Sequence, residues 1–163
     1  MTVHKLLLAE LEHRICGENI PRIKKCLGML SQEQIWHKPN AELVSIGNLV
    51  LHLHGNARQW ILHTLCGIPY QRNRDAEFET QGPLPKEELY QLLDKLDEDI
   101  KQSVWSIQEP DLLSVFEVQI FKETGVAVLV HAIEHFSYHT GQIARETKRM
   151  LAKDLGFYDD AQL

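Results

Sequence analysis

Apolar residues recur along this chain at helical rather than strand spacing, in four long stretches separated by polar, proline-bearing segments. Over residues 2–30, Leu7, Leu11, Ile15, Ile23, Leu27 and Leu30 share a recurrent face, which predicts a long amphipathic helix. Pro21 interrupts it. A proline inside a helix removes a hydrogen bond, so the pattern predicts a kink there in preference to a fresh start capped by Asn19. Ser31-Gln-Glu-Gln then leads into an irregular stretch from Trp36 to Asn40, where Pro39 pushes Lys38 out of helical geometry.

Ser45 suits the N-cap of a second helix running to about Cys66 and ended by Gly67 and Pro69. The polar segment from Gly67 to Pro85, with Arg72, Arg74 and Gly82-Pro-Leu-Pro, is too long for a tight connection. It reads as a solvated surface loop, with a lid over a site as the other reading. Pro85 opens a third helix to about Val104, whose buried set is Leu89, Leu92, Leu93, Leu96 and Ile100. Ser114 to Phe121 alternates weakly, as an extended segment does, but is too isolated to imply a sheet. A fourth helix follows from about Thr124 to Lys153. Four such segments with little strand signal predict an all-α fold, an antiparallel four-helix bundle, in one domain spanning residues 1–163.

Histidines mark the polar edges of two of these helices. With His131 set at zero and about 100° per residue, His135 falls near 40° and His139 near 80°, with Gln142 and Glu146 in the same arc. Ile133, Phe136, Ile143, Met150 and Leu151 cluster beside that arc, so the stripe borders the core. In the second helix Asn48, His52, Asn56, Gln59 and His63 form a similar stripe, while His54 points away. Two stripes on the edges of apolar faces can meet across a bundle, bringing His52 to His135 and His139. Three neutral imidazoles with an open position suit a catalytic rather than a structural metal site. On spacing alone, His131 serves equally well as the partner of His135. Each histidine also has a plain reading as a hydrogen-bonded helix residue, and Gln142, Tyr138 and Asn56 either orient ligands or are surface polar groups. Glu117, Glu123 and Glu134 lack the repeated Glu-x-x-His spacing of di-iron bundles.

Composition narrows the rest. A chain of 163 residues with 44% hydrophobic and 25% charged residues can build a core without a structural metal, so a metal here would be functional. The net charge of −6 and the absence of a basic stripe argue against nucleic-acid binding. No apolar run reaches the roughly 20 residues of a membrane span, and the first twelve residues, interrupted by Glu10 and Glu12, do not read as a signal peptide. Three widely spaced cysteines, Cys16, Cys26 and Cys66, suggest reduced thiols and a cytoplasmic protein. Gly-rich phosphate loops, Gly-x-Ser-x-Gly elbows and Cys-x-x-Cys pairs are missing.

Four motifs occur together and in order: Trp36-His-Lys-Pro-Asn; Ser45-Ile-Gly-Asn-Leu-Val-Leu-His52-Leu-His-Gly-Asn56; Glu134-His135-Phe-Ser-Tyr-His139-Thr-Gly141-Gln142-Ile; and the ending Leu155-Gly-Phe-Tyr-Asp. They resemble the DinB/YfiT-like metalloenzyme superfamily, and within it the DUF1572 subgroup of uncharacterised bacterial proteins. The resemblance covers nearly the whole chain. It implies a four-helix bundle, often homodimeric, holding one divalent metal ion, often zinc, nickel or manganese. By motif, the three ligands carry over to His52, His135 and His139. The extra histidines His54 and His131 depart from the common pattern.

Characterised proteins of that superfamily include transferases and isomerases that use bacillithiol, mycothiol or glutathione, and many members have no known activity. The expectation is therefore a metal-dependent enzyme that activates a low-molecular-weight thiol or water for transfer to a small electrophilic substrate. The alternative is a non-catalytic metal- or ligand-binding module, a sensor or sequestering protein. A DNA-binding role is supported by neither the resemblance nor the residues.

Overall fold

Four long helices carry the fold in a computed structural model that describes residues 2–82 and 84–158; Met1, Pro83 and Asp159 of the segments named above lie outside it. The first helix is continuous. It runs as α-helix over Val3–Glu12, widens to a π-helical stretch over His13–Asn19 and resumes as α-helix over Ile20–Met29. Asn19 has helical dihedrals and caps nothing; its side chain instead donates to the Arg14 carbonyl at 2.7 Å. The wide turn thus falls just before Pro21, where the missing N–H would otherwise break the ladder.

The second long helix comprises Ile46–Ala57 and a π-helical continuation, Arg58–Leu65. Its start follows the sequence closely, because the Ser45 hydroxyl accepts from the Asn48 N–H while the Asn48 side chain accepts from the Ser45 N–H. Gly67, at φ +70°, ends it in the left-handed region where a side chain would be strained. The third long helix is Lys86–Ser103 and the fourth Gly125–Leu151, capped by the Thr124 hydroxyl.

Three short helices, Gln32–Trp36, Arg74–Glu79 and Glu109–Leu113, sit in the connections. The first fills the approach to the irregular stretch, which begins at His37: Ser31 and Gln34 form a full capping box, a local signal strong enough for about one and a half turns. One correction concerns residues 114–121. Val115–Val118 pairs antiparallel with Phe121–Thr124, Val115 opposite Thr124 and Val118 opposite Phe121, so the extended segment has a partner. Gln119, at φ 58°, makes the turn.

The buried core is one cluster, in which Leu11, Ile15 and Ile23 of the first helix meet Leu53 and Ile61 of the second, Leu93 and Ile100 of the third and Phe136 of the fourth. Cross-helix contacts give the helix directions. Cys16 lies near Asp97 and Lys24 near Asp94 and Tyr90, so the first and third helices are antiparallel. His52 meets His135 and Trp60 meets His131, so the second and fourth are antiparallel as well. Asn19 reaches Ser137 and Lys25 reaches Gly156, which sets the first and fourth parallel. The second and third, joined at Arg58–Asp99, are then parallel too. Two helices running the same way need a connection that returns along the bundle, and this accounts for the length of the segment after Gly67.

Candidate metal centre

His52 and the pair His135 and His139 face each other across the antiparallel second and fourth helices. One ring nitrogen from each of the three lies within 4.8 Å of the others, and His135 Nε2 is 2.9 Å from His52 Nε2. The i, i+4 spacing puts His135 and His139 on one helix face with their rings edge-on at 4.5 Å. Thr140 and Phe136, buried on the neighbouring face, hold that helix against the core. His131 is not part of the group: its ring stacks on Trp60 at 3.8 Å and lies 5.5 Å from the His135 ring. His54 faces away, beside Arg58 and Asp99.

In His52 and His139 the remaining ring nitrogen, Nδ1, is engaged, which turns Nε2 to the centre. His52 Nδ1 is 2.9 Å from Glu77 Oε2; since an ionised carboxylate can only accept, Nδ1 is the donor and Nε2 is the nitrogen turned to the centre. His139 Nδ1 likewise donates to Gln142 Oε1 at 2.7 Å. Burial, then the neighbouring His139 and His52, pushes the His135 pKa down to about 3, and burial lowers His139 despite its bond to Gln142. Both rings are therefore neutral at pH 7, the state in which imidazole binds a metal. Burial alone would raise the Glu77 carboxyl, but hydrogen bonds from Arg72 and His52 outweigh it and hold Glu77 below the usual carboxylate range. Nitrogen-only donors, two of them backed by hydrogen-bond acceptors, fit a divalent transition metal.

Glu77 is the residue that the sequence reading missed. It sits on the short helix Arg74–Glu79, and Arg72 grips it with two bonds, Nε to Oε1 at 2.6 Å and Nη2 to Oε2 at 2.7 Å. Arg72 Nη2 also lies 3.1 Å from His52 Nδ1; both are donors, so what they share is the acceptor Oε2. Asn48, at the start of the same polar stripe as His52, donates to the carbonyls of Glu77 and Thr80 and ties the same short helix down. The segment after Gly67 is thus neither a loose lid nor a solvated loop at this point. It packs on the back of His52.

Two cavities flank the centre. One, of about 210 Å³, is lined by His131, Glu134, His135 and Tyr138 and opens to solvent beside a candidate ligand. The other, of about 120 Å³, has an apolar floor of Val44, Ile46 and Leu49 and shares Gln142 with His139. Asn56 is buried one turn beyond His52.

Comparison with known proteins agrees with this architecture. A DinB-like protein from Bacillus cereus ATCC 10987 superposes with a TM-score of 0.64 at 15% identity, over 85% of this chain and 89% of its own. The DinB-like protein YjoA from Bacillus subtilis gives 0.65 at 18% identity, over 86% and 91%. A conserved protein from Enterococcus faecalis gives 0.64 at 18% identity, over 94% and 99%. At these identities the likeness concerns the fold, which is DinB-like. No curated protein matches the sequence. Residues 11–157, however, match the family described as "Protein of unknown function (DUF1572)", a span that takes in all three histidines, Glu77 and Gln142, and the chain belongs to that family.

Proposed function

We propose that this protein is a metal-dependent enzyme in which His52, His135 and His139 hold one divalent ion, zinc, nickel or manganese, beside a substrate cavity. The observation that carries the reading is the convergence of three imidazole nitrogens, with the other ring nitrogen of His52 and of His139 already engaged. When bound, a divalent ion supplies Lewis acidity that favours the deprotonated form of a thiol or water at neutral pH. The donor set adds no negative charge, and the Glu77 charge is cancelled by Arg72. Such a site favours an anionic fourth partner, as a thiolate or hydroxide is.

The chain's own cysteines are poor nucleophiles. Burial pushes Cys16 up to about 12, with Asp97 adding to it, and Cys66 up to about 11, so both are protonated at neutral pH. An external low-molecular-weight thiol is the better candidate, reacting with a small electrophile admitted beside His135. A reduced cytoplasmic setting suits such a thiol, and no helix among the described residues is long and apolar enough to cross a membrane. Exposed Leu113, Val115, Ile120 and Val130 support an apolar contact surface, in keeping with a homodimer whose mass light scattering would read.

Elemental analysis of the purified protein is expected to find about one divalent ion per chain in the three-histidine mode. His135→Ala should lose that ion while keeping its helical circular dichroism; unchanged metal content would sink the assignment. A screen of thiols against epoxides and halogenated compounds then separates the enzyme from a non-catalytic metal- or ligand-binding module. Saturable, metal-dependent product formation identifies the enzyme, and tight binding without turnover the module.

A further inference from the structure

We propose that Glu77 and Arg72 are positioning residues for the histidine centre: the Glu77 carboxylate sets which nitrogen of His52 faces the ion, and so sets the affinity for it. This rests on the metal reading above. His52 is buried where His135 and His139 are half-buried, and its outer nitrogen meets a carboxylate that is itself buried. Arg72 donates to both oxygens of that carboxylate, so neither is left to donate, and the proton between Glu77 and His52 belongs to Nδ1. The ring then has one way to sit, with Nε2 toward His135 and His139.

The backbone of the second helix is shaped for the same contact. At Gly55 an added Cβ would overlap Glu77 Oε1 and lie 2.9 Å from its Cδ and 3.3 Å from Arg72 Nε. A helix interior ordinarily prefers alanine to glycine, so a glycine here keeps the carboxylate's place open. Asn48, one turn before His52 on that helix, fixes the carbonyls of Glu77 and Thr80. Three residues of the ligand-bearing helix, Asn48, His52 and Gly55, therefore receive one short helix of the crossover. An ion pair serving stability alone would need neither the shared oxygen nor the missing Cβ.

The test is a competition titration of the full chain with Zn2+ and Co2+. Glu77→Ala and Gly55→Ala are each expected to raise the metal Kd by about 10–100-fold, the range for losing the partner of a metal-bound histidine. Glu77→Gln should resemble Glu77→Ala, because its NH2 must face a donor on Arg72 or His52. The visible spectrum of the Co2+ form should shift in Gly55→Ala, and the thermal midpoint of the metal-free proteins, read in parallel, separates affinity from folding. Kd values within about twofold of the parent in both alanine variants would overturn the proposal. Should both fail to fold, 15N NMR of the zinc-loaded parent decides: a proton on His52 Nδ1 is expected, and a proton on Nε2 overturns it. A parent that binds no ion overturns the metal reading and this proposal with it; a parent that binds, with unaffected variants, overturns this proposal alone.

Discussion

Acidification should destabilise the metal-free protein well before its carboxylates protonate. Burial and the neighbouring histidines push His135 down to about 3, and burial, followed by Arg58, pushes His54 down to about 4, from an ordinary value of 6.5. A depressed histidine binds its proton more weakly in the folded chain than in the unfolded one. Stability is therefore fully present above about pH 6.5 and is lost as the pH falls from there toward the folded values. At pH 5, about 1.5 units below the unfolded value, each ring accounts for about 2 kcal/mol at 1.36 kcal/mol per unit. Both rings keep some solvent contact, so a combined loss of about 2–3 kcal/mol is the better expectation. His131 and His139, also lowered by burial, act in the same direction. Glu77, held below its ordinary 4.5, adds its own loss only at lower pH, so the measurement stops at pH 5. The assay is urea unfolding of chelator-treated protein at pH 7.5, 6 and 5, with His54→Gln beside the parent. The variant should lose about 1 kcal/mol less than the parent across that range. A parent midpoint that does not move between pH 7.5 and 5, or two parallel profiles, would refute the reasoning.

Other perturbations test the frame that holds the centre. Phe136→Ala removes a fully buried ring next to His135 and should cost about 3–5 kcal/mol in denaturant unfolding. Ser45→Ala breaks the capping box and leaves the Asn48 N–H without its acceptor, an expected loss of about 1–2 kcal/mol by the same assay. Gly47→Ala should lower the thermal midpoint even though alanine is the better helix former, because its Cβ would lie 2.8 Å from the Trp36 ring.

The parts of the molecule governed by local rules were legible in the sequence. Helical periodicity predicted the four long helices to within about two or three residues at most ends, and Ser45, Gly67 and Thr124 end their helices for reasons visible in their side chains. The histidine stripes were legible for the same reason, since a fixed turn angle predicts which residues share a face. His131 and His139 could not be told apart this way: each lies four residues and about 40° around the helix from His135, and stacking on Trp60, a residue of another helix, separates them. Helix direction was legible only in part: the expected antiparallel arrangement holds for the first and third helices and for the second and fourth, while the first and fourth, and the second and third, run parallel. An amphipathic face says that a helix packs, not which way its neighbour runs; cross-helix contacts such as those of Cys16, Asn19, His52 and Arg58 set the order. Glu77 left no mark because it stands among Asp75 and Glu79 in an acidic segment without periodicity.

The parallel pairing of the second and third helices and the presence of Glu77 at the centre have one origin. A tight turn between antiparallel neighbours would have left the back of His52 to solvent, where water competes for Nδ1 and the ring can flip. A connection that must return along the bundle instead lays residues 72–80 over that face, and the short helix there supplies a carboxylate from a fixed direction. Arg72 keeps the carboxylate ionised, and Asn48 fixes the backbone that carries it. Burial favours the neutral imidazoles, the crossover fixes the ring of His52, and Gln142 does the same for His139 from its own helix. His135, with no such partner among the described residues, borders the open cavity, and at this ring the centre is most accessible to a small molecule.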